Sequence, residues 1–175
     1  MLTKETEADR FNEGKLEFSL VDFRMFQDMY KYFDDLETDA STIQTCMAEI
    51  LNFVSVITAT DNQNIHAEVI PRVQSLCYRL SLFDLGLDFH NSRIYNLLAF
   101  EPMVQVLTHG IQKYSRGNWR RGYVNKFSSA DSLLRHLRQM IIGERLDQES
   151  GLPHTGHIMC NIMFLTNDLL YVNRD

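Results

Sequence analysis

The chain has 175 residues, 45% of them hydrophobic, which is one domain's worth of sequence with enough apolar side chain for a substantial core. Its net charge of -6 argues against a general nucleic-acid binder or a binder of anionic membranes, since both need a basic surface. No apolar run approaches bilayer-spanning length and no basic-then-apolar stretch opens the chain, so a cytoplasmic protein without a membrane partner is expected.

Cys46, Cys77 and Cys160 are widely spaced in apolar helical contexts and read as reduced core thiols, with no zinc-type spacing. Few glycines and only 3 prolines point to long helices joined by short turns, an all-α fold.

In chain order, residues 1–9 are polar and expected to fray. Asn12, Gly14 and Lys15 could contact a phosphate or base, Gly14 letting backbone approach a ligand; the alternative is an ordinary turn. Residues 15–21 alternate apolar and polar, which predicts a short extended segment. From Asp22 to about Asp35, Phe23, Phe26, Tyr30 and Phe33 fall on one helical face. Asp34, Asp35, Glu37, Asp39 and Ser41 then supply a loop and the next N-cap. Ile43, Met47, Ile50, Leu51, Val54 and Ile57 make a core stripe.

Asp61 to Asn64 marks a turn. Val69, Val73, Leu76, Cys77, Leu80 and Leu82 describe a further helix, with Pro71 near its start or kinking it. His66 and His90 read as surface or packing residues. A run of Ile94, Leu97, Leu98 and Phe100 leads to Glu101-Pro102, which is expected to open a helix carrying Met103, Val106, Leu107, Ile111 and Tyr114.

The loop that follows brackets the only tryptophan with glycines and flanks it with basic residues. Asn118, Trp119, Arg120 and the nearby Lys113 could hold a nucleotide, arginine gripping phosphate oxygens and an aromatic ring walling the base. For Trp119 the competing reading is an anchor between loop and core.

Ala130, Leu133, Leu134, Leu137 and Ile141 give the next core face, with Ser128 and Asp131 as a capping-box variant and Gly143 as the stop. Arg135 and His136 lie beside that face. Glu144, Asp147 and Glu149 occupy the following turn. On the last helix His154, His157, Asn161 and Asp168 share one stripe by spacing.

This density of imidazoles and acids has two readings. The first is hydrogen-bonded helix residues beside a solvated acidic loop. The second is a site for a divalent cation such as Mg²⁺, Mn²⁺ or Zn²⁺, able to position phosphate oxygens and activate a water.

The pattern Leu-Leu-Arg-His-Leu, then Gly-Glu-x-x-Asp-x-Glu-Ser-Gly-Leu-Pro-His-x-x-His-x-x-x-Asn, resembles that of the phage and bacterial dATP/dGTP diphosphohydrolases. That family is related to the all-α MazG-type nucleoside triphosphate pyrophosphohydrolases. Two further blocks agree: Arg10 to Lys15 with Leu20 to Phe23, and Glu101 to Val104 leading to His109 through Gly122. Together they cover residues 10–23 and 101–171.

The resemblance implies a MazG-like helical bundle forming a single domain over residues 1–175, with residues 24–100 as a helical insertion. That insertion would complete the fold, form an oligomer interface, or act as a lid or a partner-binding element. It also implies metal-dependent hydrolysis of a (deoxy)purine nucleoside triphosphate to the monophosphate and pyrophosphate, by a dimer or tetramer, in the host cytoplasm if phage-encoded. MazG-type enzymes hold metal with paired motifs, Glu-x-x-Glu and Glu-x-x-Asp, and this chain departs from them.

In their place it offers His136, Glu144, Asp147, Glu149, His154, His157 and Asn161 as ligands, for Mg²⁺ or Mn²⁺ ahead of Zn²⁺. Catalytic duties fall to Glu144, Asp147, Glu149 and His136. Substrate contacts fall to Asn12, Lys15, Lys113, Asn118, Trp119, Arg120 and Arg135. The alternative is a non-catalytic nucleotide-binding or sequestering protein on the same fold, with a purely structural helical protein third.

Overall fold

The computed structural model describes residues 15–87 and 97–172, without the side chains of Glu37 and Thr38. Asn12, His90 and Ile94 lie outside the described residues. Six α-helices appear among these: α1 Phe33–Asp39, α2 Ile43–Thr58, α3 Gln63–Asp84, α4 Leu97–Gly110, α5 Ser128–Ile141 and α6 His154–Thr166. With no strand among the described residues, the all-α expectation is met.

α3 and α6 are buried around most of their circumference and form the centre. A helix of that kind must be covered on several sides. α6 packs against α3, α4 and α5, while α2 lies along α3. Gln74 of α3 links the layers, its amide donating to the Met25 carbonyl at 2.7 Å and to Thr166 Oγ1 at 3.0 Å. The stretch 24–100 thus contributes α3 to the shared core. Among the described residues no helix is long and apolar enough to cross a membrane.

α4 and α6 meet at Gly156, where a Cβ would lie 2.4 Å from the Pro102 carbonyl oxygen. Only a residue without a side chain permits that approach. Cys160 Sγ donates to the Met103 carbonyl along the same seam.

Several local expectations give way to tertiary packing. Residues 15–21 contain a 3₁₀ turn, Phe18–Leu20, where an extended segment was expected. In place of one helix over 22–35 there are two 3₁₀ turns, Phe23–Phe26 and Met29–Tyr32, before α1. The aromatic stripe is still core: Phe23 and Phe26 set their edges on Phe100 at 5.1 and 5.4 Å, and Phe33 stacks on Tyr78 at 5.3 Å. A chain bent in short turns reaches both α4 and α3, which a straight helix could not.

Asp34 and Asp35 sit in the first turn of α1, where the helix dipole favours them. The cap of α2 is Thr42, paired reciprocally with Thr45. Cys46 fills a buried position of α2, while Leu51 is exposed. Pro71 is inside α3, and Pro102 is inside α4 because that helix is already formed at Leu97. Phe127, not Ser128, is the N-cap of α5. All three cysteines are buried free thiols.

Candidate functional site

α5 and α6 form an antiparallel pair joined by residues 142–153. The α5 end is a Schellman arrangement: the Gly143 N–H donates to Met140 O at 3.0 Å and the Glu144 N–H to Gln139 O at 2.9 Å. Gly143 takes the left-handed conformation at φ 93° that this demands. The turn then closes on itself, with Asp147 N–H donating to Leu152 O at 2.8 Å and His154 N–H to Arg145 O at 3.0 Å. Arg145 pairs with Asp84 at 2.9 Å and ties the turn to the end of α3.

This frame brings five sequence-predicted residues together. The Nδ1 atoms of His136 and His154 are 2.8 Å apart. His136 also stacks on His157, ring centroids 4.3 Å apart and planes 6° from parallel. Glu144 Oε1 is 2.9 Å from His154 Nε2, and Glu144 Oε2 accepts from the amides of Gln139 and Gln148, each at 3.2 Å. Asp147 approaches His157 at 3.7 Å. His136, Asp147 and His154 each present one ligand atom, all within 4.8 Å of one another. His154 is only 1% exposed, so this centre is walled on the α6 side.

Ser150 belongs to the site, although sequence reasoning passed it over. Its N–H and hydroxyl both donate to Asp147 Oδ2, at 2.9 and 2.8 Å. With that proton committed, His157 Nε2 donates to Ser150 Oγ at 2.8 Å. The available signal was the Asp-x-x-Ser-Gly spacing, a turn in which a carboxylate accepts from backbone nearby. Gln139 and Gln148, which donate to Glu144, were likewise missed.

The electrostatics keep His136 and His157 neutral. Burial, then repulsion from His157 and His154, pushes His136 down to about 4. Burial also lowers His157. For Asp147, burial pulls the carboxyl up, but the two hydrogen bonds from Ser150 outweigh it and hold it below the usual range. The centre therefore combines an ionised carboxylate with imidazole lone pairs at neutral pH, which is the donor chemistry a divalent metal ion requires.

Other sequence-predicted residues lie elsewhere. Glu149 points outward, its side chain 84% exposed, and pairs with Lys113 at 3.6 Å. Asn161 donates its amide to the His157 carbonyl at 2.9 Å. Asp168 lies fourteen positions beyond His154, about 21 Å along a helix. It accepts from the Tyr123 N–H at 2.9 Å, in a π-helical turn, Asn167–Tyr171. A shared helical face is therefore not a shared site. Lys15 and Arg135 are exposed.

Arg120 pairs with buried Asp22 at 2.9 Å and lies over the Trp119 ring, 4.5 Å from its centroid. Trp119 is buried and packs on Phe164 at 5.7 Å. Asn167 donates its amide to the Trp119 carbonyl at 3.1 Å. Trp119 anchors the loop and also lines a cavity of about 190 Å³ with Ile111, Tyr114, Asn118, Tyr123 and Phe164. The Lys113–Glu149 pair connects the segment beside this cavity to the turn bearing Asp147.

Residues 91–171 match the family described as dATP/dGTP diphosphohydrolase, N-terminal. The resemblance read from the sequence is thereby shown over that stretch, which contains α4, α5, α6 and every residue of the imidazole centre. A dATP/dGTP diphosphohydrolase of Salmonella phage PMBT28 is 32% identical over 65 residues, 37% of this chain and 22% of that protein. The match thus spans about a fifth of the relative's length. No solved structure matches the chain.

Proposed function

We propose that the protein is a metal-dependent purine nucleoside triphosphate pyrophosphohydrolase on a MazG-like bundle. The observation that carries this reading is the centre of His136, Glu144, Asp147, His154 and His157, lying wholly inside the stretch that matches the diphosphohydrolase family. A divalent ion bound there would neutralise phosphate oxygens and lower the pKa of a water. Asp147, His136 and His154 would hold the ion, and Glu144 would orient His154. His157, kept neutral by burial, is suited to take the proton of the attacking water.

Water attacks the α-phosphorus, the bond to the bridging oxygen breaks, and pyrophosphate leaves with the monophosphate as co-product. Lys113, paired with Glu149 of the turn, and Arg135, next to His136 in sequence, are the cations that would offset charge on the leaving group. The aromatic cavity beside Trp119 would receive the base, with Tyr114, 61% exposed, at its lip. Assembly as a dimer or tetramer belongs to the same proposal.

The alternative is nucleotide binding without turnover on the same fold. The test is incubation with deoxynucleoside and nucleoside triphosphates and added divalent metal, with separate assays for pyrophosphate, phosphate, inorganic triphosphate and bound nucleotide. Pyrophosphate and monophosphate in equal amounts are expected, fastest with purines. Nucleotide bound but unreacted would establish the alternative, and release of inorganic triphosphate would refute the proposed bond cleavage.

A further inference from the structure

We infer that the centre between α5 and α6 selects a transition-series divalent cation of the Zn²⁺ or Co²⁺ class over Mg²⁺, bound by His136 Nδ1, His154 Nδ1 and a carboxylate oxygen of Asp147. This inference rests on the metal-dependent reading above and departs from the Mg²⁺ or Mn²⁺ expected from the resemblance.

The donor set decides the class. Two of the three convergent ligand atoms are imidazole nitrogens and one is a carboxylate oxygen. Mg²⁺ takes oxygen ligands and usually keeps several waters, whereas imidazole suits zinc, cobalt and nickel. The acids that could have made an oxygen-rich site are committed elsewhere. Glu149 is turned out to Lys113, and Glu144 is occupied by His154 and two glutamine amides.

The spacing fits a single ion. Two nitrogens bound to one zinc at about 2.0–2.1 Å, at octahedral or tetrahedral angles, are roughly 2.8–3.4 Å apart. The Nδ1 atoms of His136 and His154 stand 2.8 Å apart, so ion entry needs an opening of at most a few tenths of an ångström. The proton shared between them is what the ion would displace.

The surrounding bonds aim the ligands. His154 Nε2 donates to Glu144 at 2.9 Å, which leaves the Nδ1 lone pair facing inward. A carboxylate behind a ligating histidine fixes the ring and raises its basicity. Glu144 is then a positioning residue and not a ligand. Ser150 plays the same part for Asp147, occupying Oδ2 with two hydrogen bonds.

The test uses the full chain, stripped with chelator and without nucleotide. Zn²⁺ and Mg²⁺ binding is followed by calorimetry and Co²⁺ binding by its visible absorption, with circular dichroism confirming that each variant is folded. One Zn²⁺ or Co²⁺ per chain is expected, bound at least 100-fold more tightly than Mg²⁺. His136→Asn and His154→Asn should each abolish the cobalt spectrum, and Glu144→Gln should weaken Zn²⁺ by about 10-fold.

Equal Mg²⁺ and Zn²⁺ affinity, or Zn²⁺ affinity unchanged in both histidine variants, overturns the inference. Its failure is separable from that of the hydrolase reading. Tight Zn²⁺ binding without pyrophosphate release refutes only the hydrolase. Pyrophosphate release that persists with Mg²⁺ in folded His136→Asn and His154→Asn refutes only the metal selection.

Discussion

Gly156 sits between His154 and His157 on the face of α6 that receives α4, and replacing it with alanine sets two effects of opposite sign against each other. An added Cβ would lie 2.4 Å from the carbonyl oxygen and 2.6 Å from the carbonyl carbon of Pro102, well inside the 3.4 Å where ordinary contact begins. Both obstacles are backbone inside α4, so relief requires the two helices to separate by about 1 Å, arresting the packing along the whole seam. Overpacking of this kind costs about 1–3 kcal/mol, and a backbone clash belongs at the upper end. Alanine in place of glycine within a helix returns about 1 kcal/mol. The net is a loss of about 2 kcal/mol, a fall in Tm of roughly 4–8 °C for a domain of this size. A thermal melt of Gly156→Ala followed by circular dichroism measures it. A Tm equal to or above that of the parent protein would refute the close approach of α4 and α6.

Asp22 accepts hydrogen bonds from Arg24, which with Arg120 hold its carboxyl well below the usual range against the opposing pull of burial. A folded-state pKa below the unfolded one means stability that is present above about pH 4 and lost as the pH falls further. Asp22→Asn should lower Tm at neutral pH and leave a smaller loss on acidification; an unchanged acid slope would remove Asp22 from that role. Tyr114→Ala, at the lip of the aromatic cavity, should raise KM for a purine triphosphate by about 2- to 10-fold at unchanged Tm, the scale of a single aromatic stacking contact. An unchanged KM, measured by initial rates, would take the base out of that cavity. Glu149→Gln should leave Zn²⁺ affinity within about two-fold, since exposed ion pairs contribute little. A large loss by calorimetry would bring Glu149 into the ligand set. Trp119→Ala should destabilise the protein by about 3–5 kcal/mol, read by urea denaturation, because the ring packs on Phe164 and anchors its loop.

The helices that carry the site were legible because α5 buries one side, and a buried face repeats at 3.6 residues whatever it packs against, while α6, buried around most of its circumference, stands out as a broadly apolar run. Gly143 as the stop of α5 was also legible, since the left-handed Schellman position all but demands glycine. The three histidines and the acids of the turn, with the blocks around them, were enough to recognise the likeness to the family that residues 91–171 match. What residue order could not specify was which acid meets which imidazole. Glu144, Asp147 and Glu149 look equivalent as a string, yet turn closure at Leu152 and Arg145 directs the first two inward and the third to solvent. Asp168 shares a helical face with His154 but stands four turns away. The 3₁₀ turns of residues 18–32 follow from a chain that must bend to reach both α3 and α4. Spacing along the chain fixes the face a side chain occupies, whereas distance across the molecule depends on how far apart helices pack and where a turn closes, and those depend on residues remote in sequence.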